Sequence, residues 1–245
     1  AVAGGTGVVG RYVVAALEAD GHEAVVLSRS TGVDVAGGAG LAGALAGVGA
    51  VVDVLSVETT KRSVAEDFFT RTTLNLQAAE RVSGVRHHVC LSIVGIDRVP
   101  FGYYQGKVAQ EAAVIAGDLP WTILRATQFH EFAGQVLDRM SVGPVRAVPQ
   151  MLSQPIAARE VGEALARLAV GPPAGRVPDL GGPRREQMVE LARKVAHARG
   201  LRGTVVPLRV PGAAGRAMRD GTLCPDSDHP RGVQTFDDWL AAQHM

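Results

Sequence analysis

Residues 1–29, AVAGGTGVVGRYVVAALEADGHEAVVLSR, constrain the fold more than any other stretch of the chain. They read as a buried strand, a glycine turn, an amphipathic helix, a second turn at Asp20-Gly21 and a second buried strand. The first turn, Gly4-Gly5-Thr6-Gly7-Val8-Val9-Gly10, carries both a GxxGxxG and a GxGxxG spacing. Glycines so placed clear side chains from backbone that must pass close to a pyrophosphate, with a helix N-terminus aimed at the negative charge. Gly5 permits the tight turn, Gly7 the close approach, and Gly10 the packing of helix on strand. The fingerprint sits inside a single βαβ unit, and in that context it predicts dinucleotide binding.

The end of the second strand indicates which dinucleotide. An NAD site usually places Asp or Glu there to accept the ribose 2′-hydroxyl. Here residues 24–27 run out into Ser28-Arg29-Ser30 with no carboxylate, and Glu23 stands at the wrong end of the strand. A guanidinium flanked by hydroxyls suits a 2′-phosphate, which it meets with two charge-assisted hydrogen bonds. NADP(H) is therefore expected in preference to NAD(H); the alternative is a solvated surface arginine.

A chain of 245 residues can bury a substantial α/β core with an appended lobe. Its net charge of +1, without basic runs, gives no footprint for nucleic acid, and its apolar runs are strand-sized, so no membrane span is expected. Two cysteines, Cys90 and Cys224, make no disulfide framework, and a reducing cytoplasm is the default. Abundant Ala, Gly, Val and Arg suggest a GC-rich bacterial source. The chain opens at Ala1 already in a strand, so no targeting signal can be read from it.

Along the chain, residues 32–35 form a short third strand and residues 40–45 a short helix within a small-residue stretch. Residues 50–57 form a fourth strand, nearly all apolar, as a strand covered on both faces should be. Residues 63–82 read as a long helix opened by a Ser63/Glu66 capping box. A fifth strand at 87–92, a helix at 106–116 and a sixth strand at 121–125 follow. This alternation predicts a doubly wound, Rossmann-type parallel sheet of α/β class. Residues 1–125 are the dinucleotide-binding core. Residues 126–245 form a smaller, mostly helical C-terminal substrate lobe, packed on the core as one structural unit. Helices at 160–169 and 186–198, a strand at 204–210 and a last helix at 235–243 with Thr235 as its cap are expected there.

The chemistry falls at strand ends. Ser92 closes the fifth strand, and Tyr103 stands four residues before Lys107, a spacing that puts both side chains on one helical face. A phenol alone is a weak acid at neutral pH. A neighbouring ammonium favours the phenolate and so eases proton donation. Tyr103 can then protonate a carbonyl oxygen as hydride reaches the carbon, with Ser92 hydrogen-bonding the same oxygen. A shifted helix start would present Tyr104 instead. No metal-ligand set of recognised spacing is evident.

Five segments carry a family resemblance: GGTGVVGR at 4–11, LSIVGID at 91–97, GYYQGKVAQE at 102–111, ILRATQFHEF at 123–132 and TFDDWLA at 235–241. Together they resemble the atypical short-chain dehydrogenase/reductase superfamily, in its NmrA-like NAD(P)H-binding branch. The resemblance implies that Gly4, Thr6, Gly7, Val8 and Val9 touch the pyrophosphate side. It implies that Ser28, Arg29 and Ser30 hold the 2′-phosphate and that Asp34 and Val35 border the adenine. Lys107 would hold the nicotinamide ribose, and Thr127 to Phe129 would lie beside the nicotinamide. Aligning Asn75-Leu76 with the family's later Asn-Leu puts Phe69 where many catalytic members carry an Asn.

The leading expectation is an NADPH-dependent oxidoreductase acting on a carbonyl, enone or quinone of a small apolar or aromatic molecule. Its pocket would be bordered by Tyr104, Phe129, His130, Phe132 and Leu152. A non-catalytic NADP(H) sensor and a non-redox cyclase or isomerase on the same scaffold are the alternatives. A homodimer is plausible by the resemblance alone.

Overall fold

The structure is a computed structural model and describes residues 1–226 and 228–243. In chain order it runs β1 (Val2–Ala3), α1 (Gly10–Ala19), β2 (Val26–Leu27), α2 (Leu41–Ala44), β3 (Ala50–Asp53), α3 (Arg62–Ser83), β4 (His87–Ile93), α4 (Gly102–Ala116) and β5 (Trp121–Ala126). Then come α5 (Phe132–Arg139), β6 (Ser141–Val142), β7 (Val145–Pro149), β8 (Leu152–Ser153), α6 (Ala158–Val170) and β9 (Gly175–Arg176). The last are β10 (Glu186–Gln187), α7 (Met188–Ala198), β11 (Thr204–Leu208), α8 (Gly212–Arg219) and α9 (Phe236–Ala242).

The chain divides into two compact units. The first comprises Ala1–Ser92, Phe101–Arg125 and Arg159–Pro178, and the second Ile93–Pro100, Ala126–Ala158 and Asp179–Met245. The central sheet has the order β2-β1-β3-β4-β5-β9. β1 pairs in parallel with both β2 and β3, β3 with β4, and β5 with β9. This is the doubly wound Rossmann arrangement, and its strand order reverses between β1 and β3, where such sheets open a ligand crevice.

Local chemistry explains the elements around that crevice. β4 is buried at six consecutive positions, as a parallel strand covered by helices must be. α3 and α4 approach closely because Gly106 faces Ala65: a Cβ on Gly106 would stand 2.6 Å from the Ala65 Cβ. Gly102 likewise lies under the Thr60 carbonyl, where a Cβ would come to 2.2 Å.

Three local expectations are corrected. Residues 32–35 form no strand. Gly32, Gly38 and Gly40 adopt left-handed backbone (φ 78–82°), and the chain curls into a loop bridged only at Asp34 and Ala39. The long helix starts at Arg62 without a side-chain cap; Glu66 accepts from Arg62 Nε at 2.8 Å instead of closing a box with Ser63. α4 begins a turn earlier than expected, at Gly102, and takes Tyr103 and Tyr104 into its first turn. The last helix keeps its expected cap, with the Thr235 hydroxyl accepting from Asp238 N at 3.1 Å.

The second unit mixes helix and sheet. β7 lies between β11 and β6, and β8 pairs antiparallel with β10. α7 packs on α5, α9 and the β7/β11 pair. These strands are two to five residues long, too short for a period-two pattern to stand out in the sequence.

Candidate functional site

The glycine turn lies at the end of β1. Gly4 has φ 84°, which favours glycine, and a Cβ there would meet the Val54 carbonyl after β3 at 3.1 Å. At Gly10 an added Cβ would stand 2.1 Å from the Gly4 carbonyl oxygen and 2.6 Å from the Gly5 Cα, so only glycine lets α1 start this close to the turn. Gly7 N donates to Gly4 O at 2.9 Å and fixes the loop. Thr6 and Gly7 are exposed and Val8 half-buried. Val9, at the helix boundary, offers no side-chain cap; Arg11 N turns back to Gly7 O at 3.3 Å and Tyr12 N to Val9 O at 2.9 Å, so no side chain covers the positive end of α1 where it opens at Gly10. This cradle fits a pyrophosphate.

The loop after β2 is braced by its own hydroxyls. Ser28 and Thr31 close a capping box on a single 3₁₀ turn, and Ser28 Oγ lies 2.7 Å from Ser30 Oγ. Arg29 stands on that turn, exposed. Beyond it, Asp34 Oδ1 accepts from Ala36 N at 3.1 Å, and Val35 is buried. Asn75 on α3 donates through Nδ2 to the carbonyls of Val35 and Ala36, each at 2.9 Å, and so ties the loop to the helix. In the sequence, Asn75 served only as an alignment marker.

On α4 the i,i+4 spacing is realised. Tyr103 and Lys107 both meet the buried Phe69 ring: the Tyr103 ring edge-on with centroids 5.6 Å apart, the Lys107 ammonium 4.8 Å from the centroid. Tyr103 is half-buried, and its hydroxyl lies 2.9 Å from Ser56 Oγ in the loop after β3. Tyr104 turns inward, 7 % exposed, its ring edge-on to Phe101. Lys107 Nζ donates to Leu91 O at 2.6 Å and to Gln110 Oε1. Gln110 Nε2 donates onward to Asp53 Oδ2 at 2.8 Å, and Leu55 N holds Asp53 Oδ1 at 3.0 Å. Ser56, Gln110 and Asp53 were not singled out from sequence. The legible signals were Gln110 at i+3 from Lys107, and a lone acid ending an apolar strand.

Ser92 is placed differently from the expected triad. It is 1 % exposed, and its hydroxyl lies beside Glu111, whose carboxyl it helps to hold in the ionised form. The hydroxyl at hydrogen-bond distance from Tyr103 is that of Ser56. Burial pushes the Glu111 carboxyl up. A hydrogen bond from Arg125, the neighbouring Ser92 hydroxyl, the charge of Arg125 and a hydrogen bond from Arg176 outweigh this and hold it below the usual carboxylate range. Arg125 reaches both Glu111 oxygens at 2.8 Å, and Arg176 reaches Oε2 at 2.6 Å.

In the second unit, Thr127 donates to Gln154 O at 2.6 Å through its hydroxyl and to Leu180 O through its N–H. Phe129 bridges to Ile156 and is half-buried, as are Phe132 and Leu152. His130 is fully buried; its ring lies 5.5 Å from Phe236 and 5.6 Å from Trp239, centroid to centroid. His130 therefore belongs to the aromatic packing under α9. No helix among the described residues is long and apolar enough to cross a membrane.

The turn, the uncapped helix and the reversing strand order define a dinucleotide-binding protein of the Rossmann type. A family model described as NAD(P)H-binding matches residues 4–169, and the chain belongs to that family. A search of curated proteins finds no match. Solved structures of similar fold include NADPH-dependent quinone oxidoreductase from Escherichia coli complexed with NADPH, with 18 % identity and a TM-score of 0.72, covering 100 % of this chain and 99 % of that one. Citrobacter sp. triphenylmethane reductase complexed with NADP(H) matches at 18 % identity and TM-score 0.70 over the same shares. UDP-glucose 4-epimerase from Thermus thermophilus in complex with NAD matches at 21 % identity and TM-score 0.66, over 99 % and 92 %. These matches agree with the Rossmann-type fold and the NAD(P)H binding expected from the sequence.

Proposed function

We propose that the protein is an NADPH-dependent oxidoreductase that reduces a carbonyl, enone or quinone of a small apolar or aromatic molecule. The observation that carries this reading is the packing of Tyr103 and Lys107, one turn apart on α4, against the Phe69 ring. The quinone and triphenylmethane reductases of similar fold support the class of reaction.

NADPH, when bound, supplies the hydride. The turn at residues 4–10 takes the pyrophosphate on its N–H groups. Arg29, with Ser28 and Ser30, pairs the 2′-phosphate, which explains why no carboxylate stands at this strand end. Asp34 and Val35 border the adenine on the loop that Asn75 ties down. Lys107 spends two N–H groups on Leu91 O and Gln110 Oε1 and keeps the third for a ribose hydroxyl. Tyr103 gives its proton to the substrate oxygen and recovers one through the Ser56 hydroxyl, 2.9 Å from its own. In the second unit, Phe129, Phe132 and Leu152 are half-buried apolar side chains that suit an aromatic substrate. The test is NADPH consumption by the purified protein over a panel of quinones, aromatic ketones and enones.

A non-catalytic NADP(H) sensor is the second reading. It is favoured by Phe69, an apolar ring at the position where, by the resemblance, many catalytic members of the family place a proton-relaying Asn. Tight NADPH binding with no consumption across the panel selects it.

A further inference from the structure

The face of the sheet under α3 and α4 holds a second polar cluster, which shares only Asp53 with the chain of hydrogen bonds that holds Lys107. β3 and β4 run side by side with Asp53 in register with Cys90. His88 stands two residues before Cys90, so all three side chains emerge on one face. One ligand atom from each of Asp53, His88 and Cys90 lies within 4.8 Å of the others, and all three residues are fully buried.

Two features of the cluster point to a cation. His88 Nδ1 is held by Glu80 Oε1 at 2.8 Å, while His88 Nε2 is buried with no hydrogen-bond partner. Buried polar atoms normally find partners, and an orphaned one asks for an ion or a water. The imidazole is also oriented as a metal ligand would be: a carboxylate holds one nitrogen and the other is left without a partner. The Asp53 carboxylate is fixed by Leu55 N and Gln110 Nε2, yet each oxygen keeps a lone pair to give.

We propose that Asp53, His88 and Cys90 bind a zinc ion inside the first unit. A thiolate, an imidazole and a carboxylate form the mixed S, N, O donor set that suits this borderline-soft cation. Thiolate and carboxylate together balance its two charges. With bond lengths of about 2.0–2.3 Å, ligand atoms around a tetrahedral zinc stand roughly 3.5 Å apart, so side-chain shifts on the order of 1 Å complete the site. The three donors leave one coordination position. The site lies two hydrogen bonds from Lys107, through Gln110, and would stiffen that chain from beneath.

The test uses untagged protein expressed in minimal medium supplemented with zinc or with cobalt. The zinc-grown protein is expected to carry about one zinc per chain, and the cobalt-grown protein a near-ultraviolet thiolate-to-cobalt absorption band. That band should vanish in Cys90→Ser and survive in Cys224→Ser, which removes the other cysteine. Only trace metal in the wild-type protein from both cultures overturns the proposal, whether or not the variants fold. A cobalt band that persists in Cys90→Ser overturns it equally.

Discussion

Lys107 shows how much of the site depends on single side chains. The residue is 4 % exposed, and its ammonium is held by the Leu91 carbonyl, Gln110 and the Phe69 face. The place of Gln110 beside Lys107 was legible from its i+3 spacing, but its link to Asp53, 57 residues earlier in the chain, was not. Ser56 was hidden for the same reason, 47 residues before Tyr103. Tyr103 and Lys107 were legible, since a four-residue spacing needs only a helix to become a contact. The proposed preference for NADPH rests on Arg29, and charge-assisted hydrogen bonds to phosphate are worth about 1.5–3 kcal/mol. Arg29→Ala is expected to weaken NADPH binding roughly ten- to a hundredfold and NADH binding far less. Fluorescence titration with both nucleotides checks this, and equal losses contradict the 2′-phosphate assignment.

At the scale of elements, the turn and the α4 clamp make separate predictions. Gly10→Ala drives a Cβ into the backbone of Gly4 and Gly5, where nothing can rotate away. It is expected to destabilise the fold by about 1–3 kcal/mol or more and to abolish measurable NADPH binding. Thermal unfolding and nucleotide titration of the variant read both effects, and a variant that binds normally contradicts the cradle. Glu111 ties α4 to β5 and β9 through Arg125 and Arg176. A carboxyl whose folded pKa lies below its unfolded value gives stability that is complete above the unfolded value and is lost as pH falls through the folded one. Glu111 is such a group, so wild-type stability should fall as pH drops below the ordinary glutamate range, about 4.3. Glu111→Gln should be less stable near neutral pH by about 3 kcal/mol and lose less on acidification. Denaturant unfolding near neutral pH and in acid measures the two slopes, and equal slopes contradict the clamp. The glycine fingerprint and the apolar strands were readable because each is a local pattern with a fixed period. The loop at 32–40 was not, because the left-handed conformation of Gly32, Gly38 and Gly40 overrode the β-branched Val33 and Val35.

For the molecule as a whole, the doubly wound sheet followed from alternation alone, while the contact boundaries did not follow sequence order. Residues 159–178 belong to the first unit, where Gly162 lies so close to α1 that a Cβ would meet the Tyr12 Cβ at 2.6 Å. Residues 93–100 belong to the second, where Gly95 is pressed against the Thr222 carbonyl. Such pairings depend on contacts across the fold, for which the sequence carries no period. The same holds for the buried His88 and Cys90: their two-residue spacing is visible, but Asp53 joins them only when β3 pairs with β4. Everything proposed for the scaffold turns on NADPH being consumed with Tyr103 as proton donor. The most direct test compares kcat/KM for wild type and Tyr103→Phe with NADPH and a quinone from the panel, with the NADPH Kd measured alongside. The expected result is a loss of about 10²–10⁴-fold in turnover at unchanged Kd. Turnover that survives the substitution contradicts it.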